Sequence, residues 1–168
     1  MRIEPATIQD CRAIAEVHVR SWQHAYRHIL PSEFLASLSV EQREGMWREC
    51  LTAGKPHLLV ARDGEGIVGF IAFGPSRDEG ATQCCAEVWA IYLAPSSWSQ
   101  GVGRMLWLAA MEQLLAQGYR TFSLWVIAGN ERAIRFYLAV GFKPEPQSVK
   151  EFTLGGAQLH EVRYILSH

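Results

Sequence analysis

The chain is 168 residues long, 49% hydrophobic and 20% charged, with a net charge of -1. A chain of about 150 residues already buries roughly 68–70% of its unfolded surface, so residues 1–168 are read as a single globular domain. No block of five like charges occurs, which argues against a nucleic-acid footprint and against a polybasic membrane patch.

The opening MRIEPATIQD lacks the apolar core, about 7–15 residues long, of a signal peptide, and no apolar run reaches the roughly 18 residues of a membrane span. The cysteines, Cys11, Cys50, Cys84 and Cys85, show neither a C-x-x-C pair nor a zinc spacing. A cytoplasmic protein with reduced thiols and no metal is expected.

Taken in chain order, Arg2–Glu4 reads as a short strand. Thr7 and Asp10 resemble an N-cap and its N3 acid, opening a helix to about Tyr26. Pro31-Ser32 restarts a short helix. Ser39 and Gln42 form a second capping box, for a helix that Gly54 and Pro56 stop. HLLVAR and GIVGFIAFG then read as strands of a hairpin around Asp63-Gly64-Glu65-Gly66. Ala86–Ala94 is a third strand. A helix to about Gln117 follows the stretch SSWSQGVGRML, and Gly118 ends it. TFSLWVI is a strand, and Asn130 caps a helix to about Val140, with Gly141 as terminator. The tail reads as two strands around Gly155-Gly156. His18, His24 and His28 read as solvated helix residues. The fold class is α/β, a mixed sheet of about six to seven strands flanked by helices, mostly antiparallel early.

Gly101 and Gly103 raise a question, because glycine costs a helix about 1 kcal/mol relative to alanine. A strand, a glycine turn and a helix start together gather free backbone N–H groups and the positive end of the helix dipole, which suits phosphate. Three phosphate ligands compete. A dinucleotide fingerprint would need a third glycine where Leu106 stands. A P-loop would need Lys-Ser/Thr where Arg104-Met105 stand. The third is the pyrophosphate of coenzyme A.

IYLAPSSWSQGVGRML, Ile91 to Leu106, resembles the central motif of the GNAT superfamily of acyl-CoA-dependent N-acetyltransferases: a strand, a Pro-containing link, then Arg/Gln-x-x-Gly-x-Gly/Ala opening a helix. It departs at Trp98, where Arg or Gln is usual. NERAIRFYLAVGF, Asn130 to Phe142, resembles a second block of the same superfamily, Asn-x-x-Ala-x-x-Phe-Tyr-x-x-x-Gly-Phe. The resemblance covers essentially the whole chain. It implies the GNAT fold, with splayed strands at Ala86–Ala94 and Thr121–Ile127, and acetyl-CoA as acyl donor in the gap. Amides of Ser99, Gln100, Gly101, Val102, Gly103 and Arg104 would cradle the pyrophosphate. The strand segment Ile91, Tyr92, Leu93 would pair with the pantetheine arm, and Asn130 would touch the cofactor.

Acetyl transfer to an amine of pKa about 10.4 needs a base more than an acid, since the leaving thiol has a pKa of about 8.5. Glu87 is the candidate base, matching a catalytic glutamate of histone-type members; its alternative is a structural ion pair. Other branches carry a glutamate where Trp125 stands here. Tyr137 is the candidate acid toward the departing sulfur, with packing against Phe136 and Phe142 as its alternative. Trp22 and Tyr26, at i and i+4, are candidate substrate contacts or core. The expected function is acetyl transfer from acetyl-CoA to a small-molecule or peptide amine, with a homodimer left open. A non-catalytic acyl-CoA-binding module and a toxin-like acetyltransferase of aminoacyl-tRNA are the alternatives, the latter disfavoured by the near-neutral charge.

Overall fold

The computed structural model describes residues 1–64 and 66–168. Glu65, in the expected hairpin turn, lies outside the described residues. The strands are β1 (Arg2–Pro5), β2 (His57–Asp63), β3 (Gly66–Pro75), β4 (Cys85–Leu93), β5 (Thr121–Ile127), β6 (Lys143–Leu154) and β7 (Ala157–Ser167). The helices are α1 (Cys11–Ala25), α2 (Ser32–Ala36), α3 (Val40–Ala53), α4 (Val102–Ala116) and α5 (Glu131–Ala139). Among the described residues all strands join one sheet in the order β1-β2-β3-β4-β5-β7-β6. Its one parallel pair is β4–β5. Among the described residues no helix is long and apolar enough to cross a membrane.

The central strands read as unbroken apolar runs because both of their faces are covered. Leu59, Ala61, Ile71 and Phe73 pack with Leu106, Trp107 and Ala110 of α4. Their neighbours Leu58, Val60, Phe70 and Ala72 point the other way, to Cys11, Ile14 and Val17 of α1 and Trp47 of α3. A fully buried Phe or Ile adds roughly 1.5–3 kcal/mol, and Phe70, Ile71 and Phe73 are each 0% exposed. A third cluster joins Tyr26, Leu30 and Leu35 to Leu159 of β7 and Phe152 of β6. It holds the C-terminal hairpin against the end of α1.

Local signals behave as their chemistry requires at most ends. The Ser39 hydroxyl accepts the Gln42 N–H at 3.1 Å, and Gly54 ends α3 in the left-handed region. The first helix differs from expectation. Thr7 is followed by a 3-10 turn over Ile8–Asp10, and α1 starts only at Cys11. The Asp10 carboxylate accepts the Thr7 N–H at 2.9 Å and an Arg62 N–H at 3.0 Å, so the helix entry is tied to β2 as well as capped.

His18 also differs. Expected in solvent, it is 7% exposed, and its Nδ1 accepts the Trp47 indole N–H at 3.1 Å. Position 18 follows Ile14 by four residues and lies on the same inward face. Burial, with Arg43 nearby, pushes the imidazole pKa down to about 3, so the ring is neutral. His24 and His28 are exposed.

Two irregularities open the sheet. β4 pairs with β5 only at Cys85↔Thr121, Ala86↔Phe122 and Glu87↔Ser123; beyond that point the strands part. On its other edge, Trp89 has no partner on β3, where pairing passes from Val88 to Ala90. Such a one-residue bulge raises local twist and bends the strand, here at the place where β4 leaves β5.

Candidate active site

The parted strands enclose a cavity of about 830 Å³, within the usual range of small-ligand sites, roughly 300–1,000 Å³. Residues from Glu87 to Leu93 of β4 and from Leu124 to Ile127 of β5 form its two sides. Past Glu87 the β4 edge facing β5 has no strand partner. Strand alternation turns the Ile91 N–H and C=O and the Leu93 N–H to this edge, where they are available to an amide-bearing chain.

The glycine turn stands at one end. Ser99 and Gly101 both have left-handed backbones, φ 59° and 81°. The first helical bond of α4 runs from Met105 N–H to the Gly101 carbonyl at 3.1 Å. The amides of Val102, Gly103 and Arg104 therefore have no intrahelical acceptor, and all three residues line the cavity. The two glycines serve different ends. A Cβ on Gly101 would touch nothing within 4 Å, so that position needs glycine for its dihedral. A Cβ on Gly103 would lie 3.3 Å from the Phe136 ring, so that position needs glycine for the close approach of α4 and α5. Ser99 lines the cavity, whereas Gln100 does not: its amide donates to the Ser96 carbonyl at 2.7 Å. Trp98 donates its indole N–H to the Leu93 carbonyl at 3.1 Å, and the Arg132 guanidinium covers its ring.

The start of α5 faces the same space. Asn130 Oδ1 accepts the Ala133 N–H at 3.4 Å, the expected cap, and capping leaves its amide donors free. Tyr137 lines the cavity, with its ring against Phe136 and Phe142. Burial pushes its phenol pKa well up, so the hydroxyl stays protonated. Arg104, Arg132 and Arg135 line this region too.

Glu87 sits at the root of the splay, 2% exposed. Its Oε2 accepts the Arg77 backbone N–H at 2.9 Å and the Arg77 Nε at 3.2 Å, and its Oε1 accepts Arg77 Nη2 at 2.6 Å. About three of a carboxylate's four lone-pair sites are thereby occupied. Arg77 in turn lies over the Trp89 ring at 4.3 Å. Asp78 accepts the Trp125 indole N–H at 2.9 Å and an Arg163 N–H at 3.1 Å. Trp125, which stands where other branches of the family carry a glutamate, is covered by the Lys150 ammonium at 4.0 Å.

Trp22 and Tyr26 both line the cavity from α1, their rings 4.8 Å apart. The Trp22 indole N–H is buried, and it has no hydrogen-bond partner among the described residues. Tyr26 is also part of the core, 5% exposed.

Sequence reasoning missed Arg77, Asp78, Arg132, Lys150 and Glu161, all of which line the cavity. Glu161 of β7 stands opposite Ile127 of β5 and Lys150 of β6. Among the described residues no group of three or more His, Cys, Asp or Glu could hold a metal.

Comparison with known proteins gives a consistent picture. Residues 13–142 match the model of the acetyltransferase (GNAT) family. The chain is 37% identical to the uncharacterized N-acetyltransferase YuaI of Bacillus subtilis over 161 residues, covering 95% of this chain and 89% of that protein. It is 25% identical to the spermidine N(1)-acetyltransferase of Thermoplasma acidophilum over 160 residues, covering 92% and 95%. The structure of the PaiA N-acetyltransferase from Thermoplasma acidophilum in complex with coenzyme A superposes with a TM-score of 0.73 at 24% identity, over 96% of this chain and 98% of that one.

Proposed function

Because the chain belongs to the acetyltransferase (GNAT) family and is an N-acetyltransferase, we propose that it transfers acetyl from acetyl-CoA directly to a primary amine of a small molecule or peptide. The observation that carries this reading is the unpaired β4 edge leading to the free amides of α4. The donor needs both: amide partners for its pantetheine arm and an anion site for its phosphates.

The charges divide in the same sense. On α4 and α5 the cavity is lined by Arg104, Arg132 and Arg135, with no acid among the lining residues of those helices. On the β3–β4 connection, β4 and the C-terminal hairpin it is lined by Asp78, Glu87 and Glu161 against Arg77 and Lys150. An anionic donor is favoured at one end and a cationic amine at the other. The spermidine enzyme among the relatives makes polyamines the first acceptors to try.

In this reading the amine enters beside Trp22 and Tyr26 and attacks the thioester carbonyl within the splay. Tyr137, protonated, donates to the departing sulfur. Asn130 orients the donor with its free amide while capping α5. The test is an acetyl-CoA assay with spermidine, putrescine, a peptide with a free N-terminus and an amino sugar, following thiol release and acetylated amine together. Equal amounts of both products support the reading. Acetyl-CoA binding with no acetylated product from any amine would instead leave a binding module.

A further inference from the structure

We propose that Glu161 takes the proton of the acceptor amine, while Glu87 holds the site's shape through Arg77. This rests on the acetyl-transfer reading above. Two carboxylates of the same residue type face one cavity in opposite circumstances. Glu87 is clamped by three donors of Arg77, which fix its carboxylate and occupy about three of its four lone-pair sites. Glu161 receives no hydrogen bond from any described residue, although it is partly buried on the cavity wall.

The charged and titratable groups whose fields reach Glu161, or that feel its charge, come from several elements. They are Lys150 of β6, Glu87 of β4, Arg77 and Asp78 of the connection before β4, and Tyr26 of α1. Burial raises the Glu161 carboxyl above the usual glutamate range; Lys150 offsets part of this and Glu87 adds to it. The two carboxylates thus differ in their partners: one is held by a guanidinium, the other faces the cavity without a hydrogen-bond donor among the described residues. Lys150, the cross-strand partner of Glu161, lies with its ammonium over the Trp125 ring at 4.0 Å and forms no salt bridge with Glu161 among the described residues, so the Glu161 oxygens are open to an incoming ammonium.

The step balances as follows. The ammonium gives one proton to the Glu161 carboxylate. The neutral nitrogen forms the C–N bond and the C–S bond breaks. The second nitrogen proton ends on the thiolate, by way of Tyr137 or water, and Glu161 releases its own proton to solvent. The products are the amide, the free thiol and one proton.

The experiment uses the whole protein and has two parts. With spermidine, or the fastest amine of the panel above, Glu161→Gln should lower kcat/KM by about 10²-fold at neutral pH. Acetyl-CoA affinity should be unchanged. The acidic limb of the profile should vanish, and the deficit should shrink as pH rises toward the amine's own pKa. Glu161→Asp should recover part of the rate. A higher KM with kcat and profile unchanged would mean simple ammonium binding and would overturn the proposal. Separately, in protein labelled with carbon-13 at the glutamate carboxyls, the resonance missing from Glu161→Gln should titrate above the ordinary glutamate range. Titration within or below that range also overturns it. Wild-type protein that acetylates no amine removes the acetyl-transfer reading itself, whereas full activity in Glu161→Gln removes this proposal alone.

Discussion

The Arg132 guanidinium lies 3.2 Å from the centre of the Trp98 ring. Trp98 occupies the place where the family's central motif usually carries Arg or Gln, and Arg132 brings a cation back to it from a different helix. The indole is a fixed platform, since its N–H is bonded to the Leu93 carbonyl.

Arg132→Ala should therefore weaken coenzyme A binding about tenfold, the worth of one charge-assisted contact of about 1.4 kcal/mol. Trp98→Ala keeps the charge and should weaken it less. Calorimetric titration at two salt concentrations checks this. Wild-type affinity in Arg132→Ala would mean that the guanidinium only packs.

The two glycines should fail differently. Gly101→Ala forces an L-residue into the left-handed region, about 1–2 kcal/mol, without a steric clash. Gly103→Val drives branched carbons into the Phe136 ring and should separate α4 from α5. Both should lose acetyl-CoA affinity, and the second should melt at a clearly lower temperature. Unchanged affinity in both variants would discard the turn as an anion site.

Tyr137→Phe should lower turnover while leaving coenzyme A affinity nearly intact, because in the proposed mechanism the hydroxyl acts only on the departing sulfur. Since burial lifts the phenol's pKa well above its usual value, the wild-type rate profile should show no basic limb from Tyr137 below about pH 10. An unaltered turnover number in the phenylalanine variant would assign the ring to packing.

The Arg77–Glu87 pair should be lopsided in stability. Arg77 is 52% exposed and Glu87 is 2% exposed. Arg77→Ala leaves a buried carboxylate with one backbone donor, at about 1–3 kcal/mol. Glu87→Gln leaves a guanidinium that water reaches, and should cost less. Urea denaturation separates the two. The Glu87→Gln rate profile should run parallel to the wild type; loss of its acidic limb would transfer the base from Glu161 to Glu87.

His18 makes the fold acid-sensitive. Its folded pKa, about 3, lies below the ordinary 6.5. The unfolded chain therefore takes up the proton first as pH falls. The stability this neutral ring contributes is complete above about pH 6.5 and drains away toward pH 3. His18→Gln keeps an acceptor for the Trp47 N–H but does not titrate. Its stability should fall less steeply across that window; identical slopes in denaturation series would contradict the assignment.

What the sequence determined by itself was whatever is local. The Ser39 and Asn130 caps, the left-handed Gly54 and Gly101 and the order of strands and helices depend on contacts within a few residues, and such contacts leave a readable pattern. The glycine turn and the Asn130–Phe142 block were legible for the same reason, each being one continuous stretch. The tertiary structure alone decided the rest. The burial of His18 is not legible in the sequence, because which face of α1 lies inward depends on α3 and the sheet. Arg77 meets Glu87, Arg132 meets Trp98 and Glu161 enters the cavity only through sheet order, a bulge at Trp89 and the register of β7. A register slip of one residue would turn Glu161 to the opposite face. No short-range pattern carries that information, because register is set by the summed packing of strands far apart in the chain.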